Sequence, residues 1–174
     1  MYFDSKESDN MRTGKVIDAM IGYYSCDAKR INHFLKVYGF SKAIGEMEGL
    51  DDKTQEILEI TAATHDIGIK LSEEKYGNCS GAHQQVEGPP EARKLLEGLG
   101  FEDEIIERVC FIISRHHTYK DIQGIDYQIL VEADFLVNAF EDTLPETAVR
   151  SFRDKVFRTE TGKRFLERLY GIID

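Results

Sequence analysis

Residues 102–117 read EDEIIERVCFIISRHH, a segment whose apolar residues follow the period of an α-helix. Four of these residues recur at i, i+4, i+7 and i+8, which places them on one stripe of the helix: Ile105, Val109, Ile112 and Ile113. His116 continues the stripe at i+11, so we expect its side chain to face the interior. His117 lies about 100° further round the helix and is interpreted as a residue at the rim of a pocket.

The same helical period extends over most of the chain, whereas the alternation typical of strands is scarce. The sequence therefore predicts an all-α fold, a single-domain helical bundle over residues 14–174, preceded by a frayed segment at 1–13. The predicted helices lie near 14–24, 27–45, 52–66, 90–99, 102–117, 125–141, 145–157 and 160–172.

Local signals set several of these boundaries. Asp52 with Gln55 resembles a capping box at the start of the third helix. Pro89 and Pro90 are interpreted as the start of the fourth helix, because proline fits the first turn. The segment before them, Leu71–Gly88, is predicted to be a long irregular loop, and loops of that length in compact domains are usually functional or mobile.

Charge and composition narrow the function classes. A net charge of -10 argues against general nucleic-acid binding, which depends on basic surface. No apolar run reaches the length of a membrane span, and no basic start leads into an apolar signal segment. Cys26, Cys79 and Cys110 lack paired zinc spacing and are interpreted as reduced thiols, so we expect a soluble cytoplasmic protein.

Asp134 is an anomaly within an apolar segment, ILVEADFLV at residues 129–137. A buried carboxylate is costly unless it is paired or binds a metal. From the residues alone, a surface position, an ion pair with Arg93 or Arg108, and a metal-ligand role all stay open.

Two further positions carry residues suited to metal binding. His65 and Asp66 stand at a predicted helix end just before Gly68, where both side chains can turn toward one point. His33 lines one of two apolar faces of its helix, which is compatible with a ligand without requiring one. Histidine is the commonest ligand of transition metals, and carboxylates complete hydrolytic sites.

Taken in order, His33, the pair His65-Asp66, His116 and Asp134 resemble the signature of the HD-domain superfamily of metal-dependent phosphohydrolases, over roughly residues 27–141. The resemblance implies an HD-type helical bundle with a metal held between central helices by His33, His65, Asp66 and Asp134. Family members use manganese, iron, cobalt, nickel or zinc, and also magnesium, as one ion or two.

Members with two metals carry two further histidines, and His116 matches the second of them. The position of the first falls on Gln84, a poor ligand for these metals. Three alternatives therefore stay open: His83 binds instead, the site holds one metal, or a carboxylate such as Glu87 substitutes. His116 is accordingly a ligand of a second metal or a substrate contact.

The implied activity is hydrolysis of a small phosphorylated compound, with a nucleotide phosphomonoester or phosphodiester favoured. A bound metal would lower the pKa of its water and provide hydroxide for attack on phosphorus, with Asp66 as the catalytic carboxylate. Four cationic or imidazole side chains are candidate phosphate contacts: Lys70, Arg115, His117 and Lys120.

Two other classes compete with this interpretation. A di-iron oxygenase of HD fold would need the complete histidine set, against which Gln84 counts. A non-catalytic nucleotide-binding regulatory module would not need four metal ligands. A homodimer is compatible with the sequence, which contains no specific evidence for one.

Overall fold

The computed structural model describes residues 5–172, and the surroundings of side chains from residue 12 onward. This range contains nine α-helices and no strand, which confirms the all-α prediction. The helices are α1 (Ser5–Tyr23), α2 (Ala28–Glu48), α3 (Asp52–Thr64), α4 (Ile69–Tyr76), α5 (Gly81–Gly98), α6 (Asp103–Ile113), α7 (Ile125–Glu141), α8 (Glu146–Val156) and α9 (Glu160–Tyr170). No helix between residues 5 and 172 has both the length and the apolar character needed to cross a bilayer.

The predicted frayed segment at 1–13 overlaps α1. Residues 1–4 lie outside the described residues, and residues 5–13 belong to the helix, which therefore begins nine residues before the predicted start at 14.

The central element is α7, whose bounds agree with the predicted helix at 125–141. Thirteen of its seventeen residues are buried, because it packs against α2, α3 and α9. A helix that is apolar on almost every side finds this environment only in the middle of a bundle. Asp134 is therefore an interior residue, 7% exposed, and the alternative of a surface aspartate is excluded.

A second carboxylate of α7, Glu132, is fully buried and has a structural role. It accepts hydrogen bonds from the Gln128 side chain and from the backbone N–H groups of Arg158 and Thr159, between α8 and α9. Burial raises the pKa of Glu132, although these donors oppose the rise. The bonds fix the start of α9 against the middle of α7.

The predicted loop at Leu71–Gly88 is wrong, since α4 and most of the first half of α5 occupy it. Ser80 caps α5 by accepting a hydrogen bond from the His83 N–H, and the helix continues through the two prolines. Proline removes an intrahelical donor, so the carbonyls of Gln85 and Val86 lose their partners. Val86 is 63% exposed, so water can satisfy that carbonyl, and the helix tolerates the pair.

Two other predicted boundaries also shift. The cap of α3 is Asp51, which accepts from the Thr54 N–H, rather than the expected pair Asp52 and Gln55. The helix predicted at 102–117 ends at Ile113, and a turn carries the chain through His116 and His117. The Tyr127 hydroxyl of α7 holds this turn by donating to the carbonyls of Arg115 and Thr118.

Candidate metal centre

Four predicted ligands meet where α2, α3 and α7 come together. His33 lies on α2 and Asp134 on α7, while His65 is the residue after the end of α3 and Asp66 follows it in the turn. The Nε2 atom of His33 lies 3.4 Å from Asp66 Oδ2 and 3.3 Å from Asp134 Oδ1. The Nε2 atom of His65 lies 3.5 Å from each of the same two oxygens.

These spacings suit a shared cation. Ligand atoms arranged tetrahedrally at about 2.1 Å from one ion lie about 3.4 Å apart. The four measured distances, 3.3–3.5 Å, match that value and are long for direct hydrogen bonds. The ligand atoms of His33, His65 and Asp66 all lie within 4.8 Å of one another, so this group could hold a metal ion.

The imidazoles are oriented as metal ligands. His65 and His116 each place Nδ1 2.7–2.9 Å from the backbone carbonyl three residues earlier, and His33 Nδ1 lies 2.9 Å from Glu141 Oε2. Because these acceptors require a proton on Nδ1, each imidazole in its neutral form presents a lone pair at Nε2. All three Nε2 atoms are buried without a hydrogen-bond partner in the described part of the chain. A buried polar atom without a partner is costly, and one cation would satisfy the Nε2 atoms of both His33 and His65.

The charges of the centre support each other. Burial opposes ionisation of His65, but Asp66 and Asp134 outweigh it and raise the His65 pKa to about 9. Without a metal, His65 therefore carries a second proton near neutral pH, and a bound cation would replace the proton on Nε2. Burial likewise opposes ionisation of the two carboxyls, yet the adjacent histidines hold the pKa of Asp66 and of Asp134 well below the usual range. Both carboxylates are therefore ionised near neutral pH, as metal ligands must be.

No arginine competes for Asp134 in the described structure. Arg93 pairs with Glu107 at 2.7 Å, and Arg108 pairs with Asp126 at 2.6 Å. The sequence alternative of an arginine partner for Asp134 is therefore excluded. Asn138, one turn further along α7, instead donates a hydrogen bond to Asp134 Oδ1.

A second group of possible ligands shares Asp66. The ligand atoms of Asp66, His116 and His117 also lie within 4.8 Å of one another, with His116 Nε2 3.7 Å from Asp66 Oδ1. His116 is 2% exposed and faces the interior, as expected, while His117 is partly buried at the pocket. Burial, reinforced by the neighbouring His116, lowers the pKa of His117 to about 4, so this imidazole is neutral.

Gln84 occupies the edge of this second group. Its amide nitrogen donates to the Cys79 carbonyl, and its Oε1 lies 3.3 Å from His117 Nε2. His83 points elsewhere, stacking on Tyr76 with ring centroids 4.0 Å apart. The structure thus does not bring His83 to the centre.

Glu87, the other alternative to Gln84, also stays away from the centre. It accepts hydrogen bonds from Lys75 and from the Tyr76 hydroxyl, and together these contacts tie α5 to the end of α4.

A cavity of about 380 Å³ opens over the centre. Polar and charged side chains dominate its lining, which consists of Asp27, Lys29, Arg30, His33, Asp66, Ile69, Cys79, Gln84, His117, Asp134, Asn138, Glu141 and Asp142. Cys79, which lines the cavity, is exposed and forms no disulfide in the described structure.

The cations at this cavity differ from most of those expected. Lys70 lies over the Tyr23 ring and Arg115 over the Phe111 ring, and neither residue lines the cavity. Lys120, also exposed, is not among the lining residues either, so His117 is the expected phosphate contact that the structure places there.

The cationic side chains that line the cavity in the described structure are those of Lys29 and Arg30. They precede His33 by four and three residues on α2, a spacing that puts all three on one helix face and could have identified them in the sequence. Arg30 is held in place by ion pairs with Asp27 at 2.9 Å and Glu73 at 2.6 Å.

Comparison with known proteins agrees with this arrangement. The HD domain family model matches residues 30–150, an interval that begins before His33 and ends after Asp134. Among solved structures, the chain is similar to a predicted HD superfamily hydrolase from an uncultured Thermotogales bacterium, with a TM-score of 0.65 and 25% identity. That match covers 90% of this chain and 84% of the other. No curated protein matches the chain.

Proposed function

The chain belongs to the HD domain family, and we propose that it is a metal-dependent phosphohydrolase acting on a small phosphorylated compound. The observation that carries the proposal is the convergence of the His33 and His65 Nε2 lone pairs on the carboxylates of Asp66 and Asp134. Their geometry, burial and ionisation all suit a divalent cation at the floor of an open cavity.

In this proposal His33, His65, Asp66 and Asp134 hold the metal. Two imidazoles with two carboxylates suit manganese, iron, cobalt, nickel or zinc, whereas magnesium prefers a shell of oxygens. When bound, such an ion supplies Lewis acidity, which lowers the pKa of a coordinated water and polarises a phosphoryl oxygen.

Asp66 is the proposed catalytic carboxylate. Its Oδ2 faces His33 and His65, while its Oδ1 faces His116 and the second group. We propose that this second oxygen orients an attacking water by accepting a hydrogen bond from it. The same geometry is compatible with a second ion at Asp66, His116 and His117, so we propose one or two ions per chain.

Lys29, Arg30 and His117 are the proposed contacts of the phosphate oxygens. Lys29 is exposed at the cavity, and no described residue forms an ion pair with it. A volume of about 380 Å³ lies at the low end of small-molecule sites, which supports a nucleotide-sized or smaller ester.

A di-iron oxygenase is the second candidate, and the group of Asp66, His116 and His117 favours it because that reaction needs two irons. Gln84 beside His117 counts against it, since an amide is a poor ligand for iron. The regulatory-module alternative has no comparable observation in its favour.

Cytoplasmic location, lack of general nucleic-acid binding and a possible homodimer remain predictions. The first rests on the three unpaired cysteines and the second on the net charge of -10.

The test is metal analysis of the purified protein, coupled to a screen of nucleotides, dinucleotides and simple phosphate esters. We expect bound Mn, Fe, Co, Ni or Zn, with release of phosphate or a phosphate monoester. Two irons with an oxidised-iron absorption band and no hydrolysis would favour the oxygenase.

The matched pair of variants is His65→Ala and His83→Ala, because both remove an imidazole and only His65 faces the centre. His65→Ala should lose metal and hydrolysis together, and His83→Ala should retain both. Unchanged metal content and hydrolysis in His65→Ala would show that the site assignment is wrong.

A further inference from the structure

The three inward histidines, His33, His65 and His116, differ in the hydrogen-bond acceptor of their Nδ1 atoms. His65 and His116 use neutral backbone carbonyls as Nδ1 acceptors, whereas His33 uses the carboxylate of Glu141 at 2.9 Å. A carboxylate behind an imidazole makes the imidazole a stronger ligand, because it stabilises the positive charge that develops on the ring. His33 is therefore the inward histidine whose ring is hydrogen-bonded to a negative charge, whereas His65 and His116 are bonded to neutral carbonyls.

The contact is built into the interface between α2 and α7. On α7, Asp134, Asn138 and Glu141 follow each other at i, i+4 and i+7, which places them on one face over two turns. Asn138 donates to Asp134, and Glu141 accepts from His33. On α2, Lys36 stands one turn after His33 and donates to the other oxygen of Glu141.

This arrangement leaves Glu141 with two partners and little freedom. Oε2 faces the His33 ring, Oε1 faces the Lys36 ammonium, and the side chain is 17% exposed. Because the carboxylate is held at both oxygens, it fixes the plane of the imidazole as well as the proton on Nδ1.

We propose that Glu141 is a positioning residue: it orients His33 and strengthens it as a metal ligand, with Lys36 anchoring the carboxylate. The inference rests on the proposed metal site. Loss of such an outer partner typically weakens metal binding about 10- to 100-fold.

A purely structural role is the competing explanation, since the pair of Lys36 and Glu141 also joins α2 to α7. The two roles differ in their consequences for Lys36. If the ion pair only joins the two helices, removing Lys36 and removing Glu141 should have equal effects, because either change breaks the pair. A positioning role survives the loss of Lys36, because Glu141 then still accepts from His33.

The experiment measures zinc affinity by chelator competition in the full chain, together with ¹⁵N–¹H spectra of the zinc-loaded protein. Glu141→Ala should weaken zinc binding about 10- to 100-fold and expose the His33 Nδ1–H to rapid exchange. Glu141→Gln keeps an acceptor oxygen without the charge, so it should keep the protected Nδ1–H and show a smaller loss of affinity. Lys36→Met removes only the anchor, so it should lower the affinity by much less than Glu141→Ala.

The matched control is Glu107→Ala, which removes a carboxylate from another interhelical ion pair, with Arg93, and Glu107 is not among the residues that line the cavity. It should leave zinc affinity and the His33 signal unchanged. Equal losses in Lys36→Met and Glu141→Ala, or unchanged affinity in Glu141→Ala, would overturn the proposal.

The readouts separate this inference from the proposed reaction, because neither of them measures hydrolysis. A protein that binds zinc with the expected variant pattern but cleaves no phosphate ester supports the role of Glu141 and refutes only the reaction. A protein that binds no divalent metal refutes both.

Discussion

Gly68, two residues after Asp66, has no room for a side chain, and we expect Gly68→Ala to destabilise the protein. A Cβ atom there would lie 2.7 Å from Gly88 N, 2.8 Å from Gln84 O and 2.9 Å from Gly88 Cα. All three are backbone atoms of α5, so no rotamer change can relieve the contact. The backbone angle of Gly68, φ −72, suits alanine, so the obstacle is steric alone.

The size of the effect follows from these distances. Ordinary contacts between heavy atoms begin at about 3.5 Å, so α5 must retreat by about 0.8 Å. Overpacking of this kind costs about 1–3 kcal/mol, offset by about 0.4–1 kcal/mol because alanine restricts the unfolded chain. The net loss therefore spans about 0–2.6 kcal/mol, and its midpoint of about 1.3 kcal/mol lowers the melting temperature of a chain of this length by about 3–5 °C.

The assay is thermal unfolding by calorimetry, with Gly39→Ala as the matched control. Gly39 lies inside α2, and its Cβ would meet nothing within 4 Å. Alanine is the better helix former by about 0.5–1 kcal/mol, so the same substitution should raise the melting temperature there. The reasoning is refuted if Gly68→Ala melts at or above the temperature of the unchanged protein.

Three further predictions address the cavity and the core. Lys29→Met should raise KM for a phosphate ester about two- to fivefold in steady-state kinetics, whereas Lys70→Met, outside the cavity, should not; equal effects would contradict the placement of the phosphate. Gln84→His adds an imidazole beside His117, so if the unchanged protein holds one ion, metal analysis of the variant should show two; a content that stays at one argues against a second site here. Burial raises the pKa of Glu132 in the folded protein above its value of 4.5 in the unfolded chain. As the pH rises above 4.5, Glu132 therefore ionises first in the unfolded chain, and the free energy of unfolding falls. Glu132→Gln should remove this pH dependence. In denaturant unfolding between about pH 4 and 7, the free energy of unfolding of the variant should therefore rise relative to that of the unchanged protein; a difference in this energy that does not change with pH would contradict the assignment.

Short-range sequence patterns were sufficient to predict which residues form the core of the helical bundle. The nearly continuous apolar segment around Asp134 required a buried helix, and the structure has α7 with the predicted bounds. The stripe that ends at His116 likewise predicted an inward imidazole, and His116 is buried although the helix itself ends at Ile113. Burial can be predicted in this way because apolar residues at helical spacing mark the buried face of a helix.

The same reasoning failed where a local signal had two structural solutions. Pro89 and Pro90 fit a helix start, yet they lie inside α5, on a part of the helix where Val86 is exposed and water has access. Lys70 follows the turn of His65 and Asp66 in sequence, but it lies over the Tyr23 ring and does not line the cavity.

The sequence by itself determined the all-α class, the buried helix at 125–141 and the inward-facing position of His116. Helical periodicity encodes these features within a few turns, and the order of His33, His65, Asp66 and Asp134 carries the family resemblance. Only the tertiary structure decided which charged groups meet. Glu141 behind His33, Lys29 at the cavity and Gln84 against His117 depend on how distant helices pack. Contacts between side chains far apart in sequence follow from packing angles and close approaches such as that of Gly68 to Gly88, which no local pattern specifies.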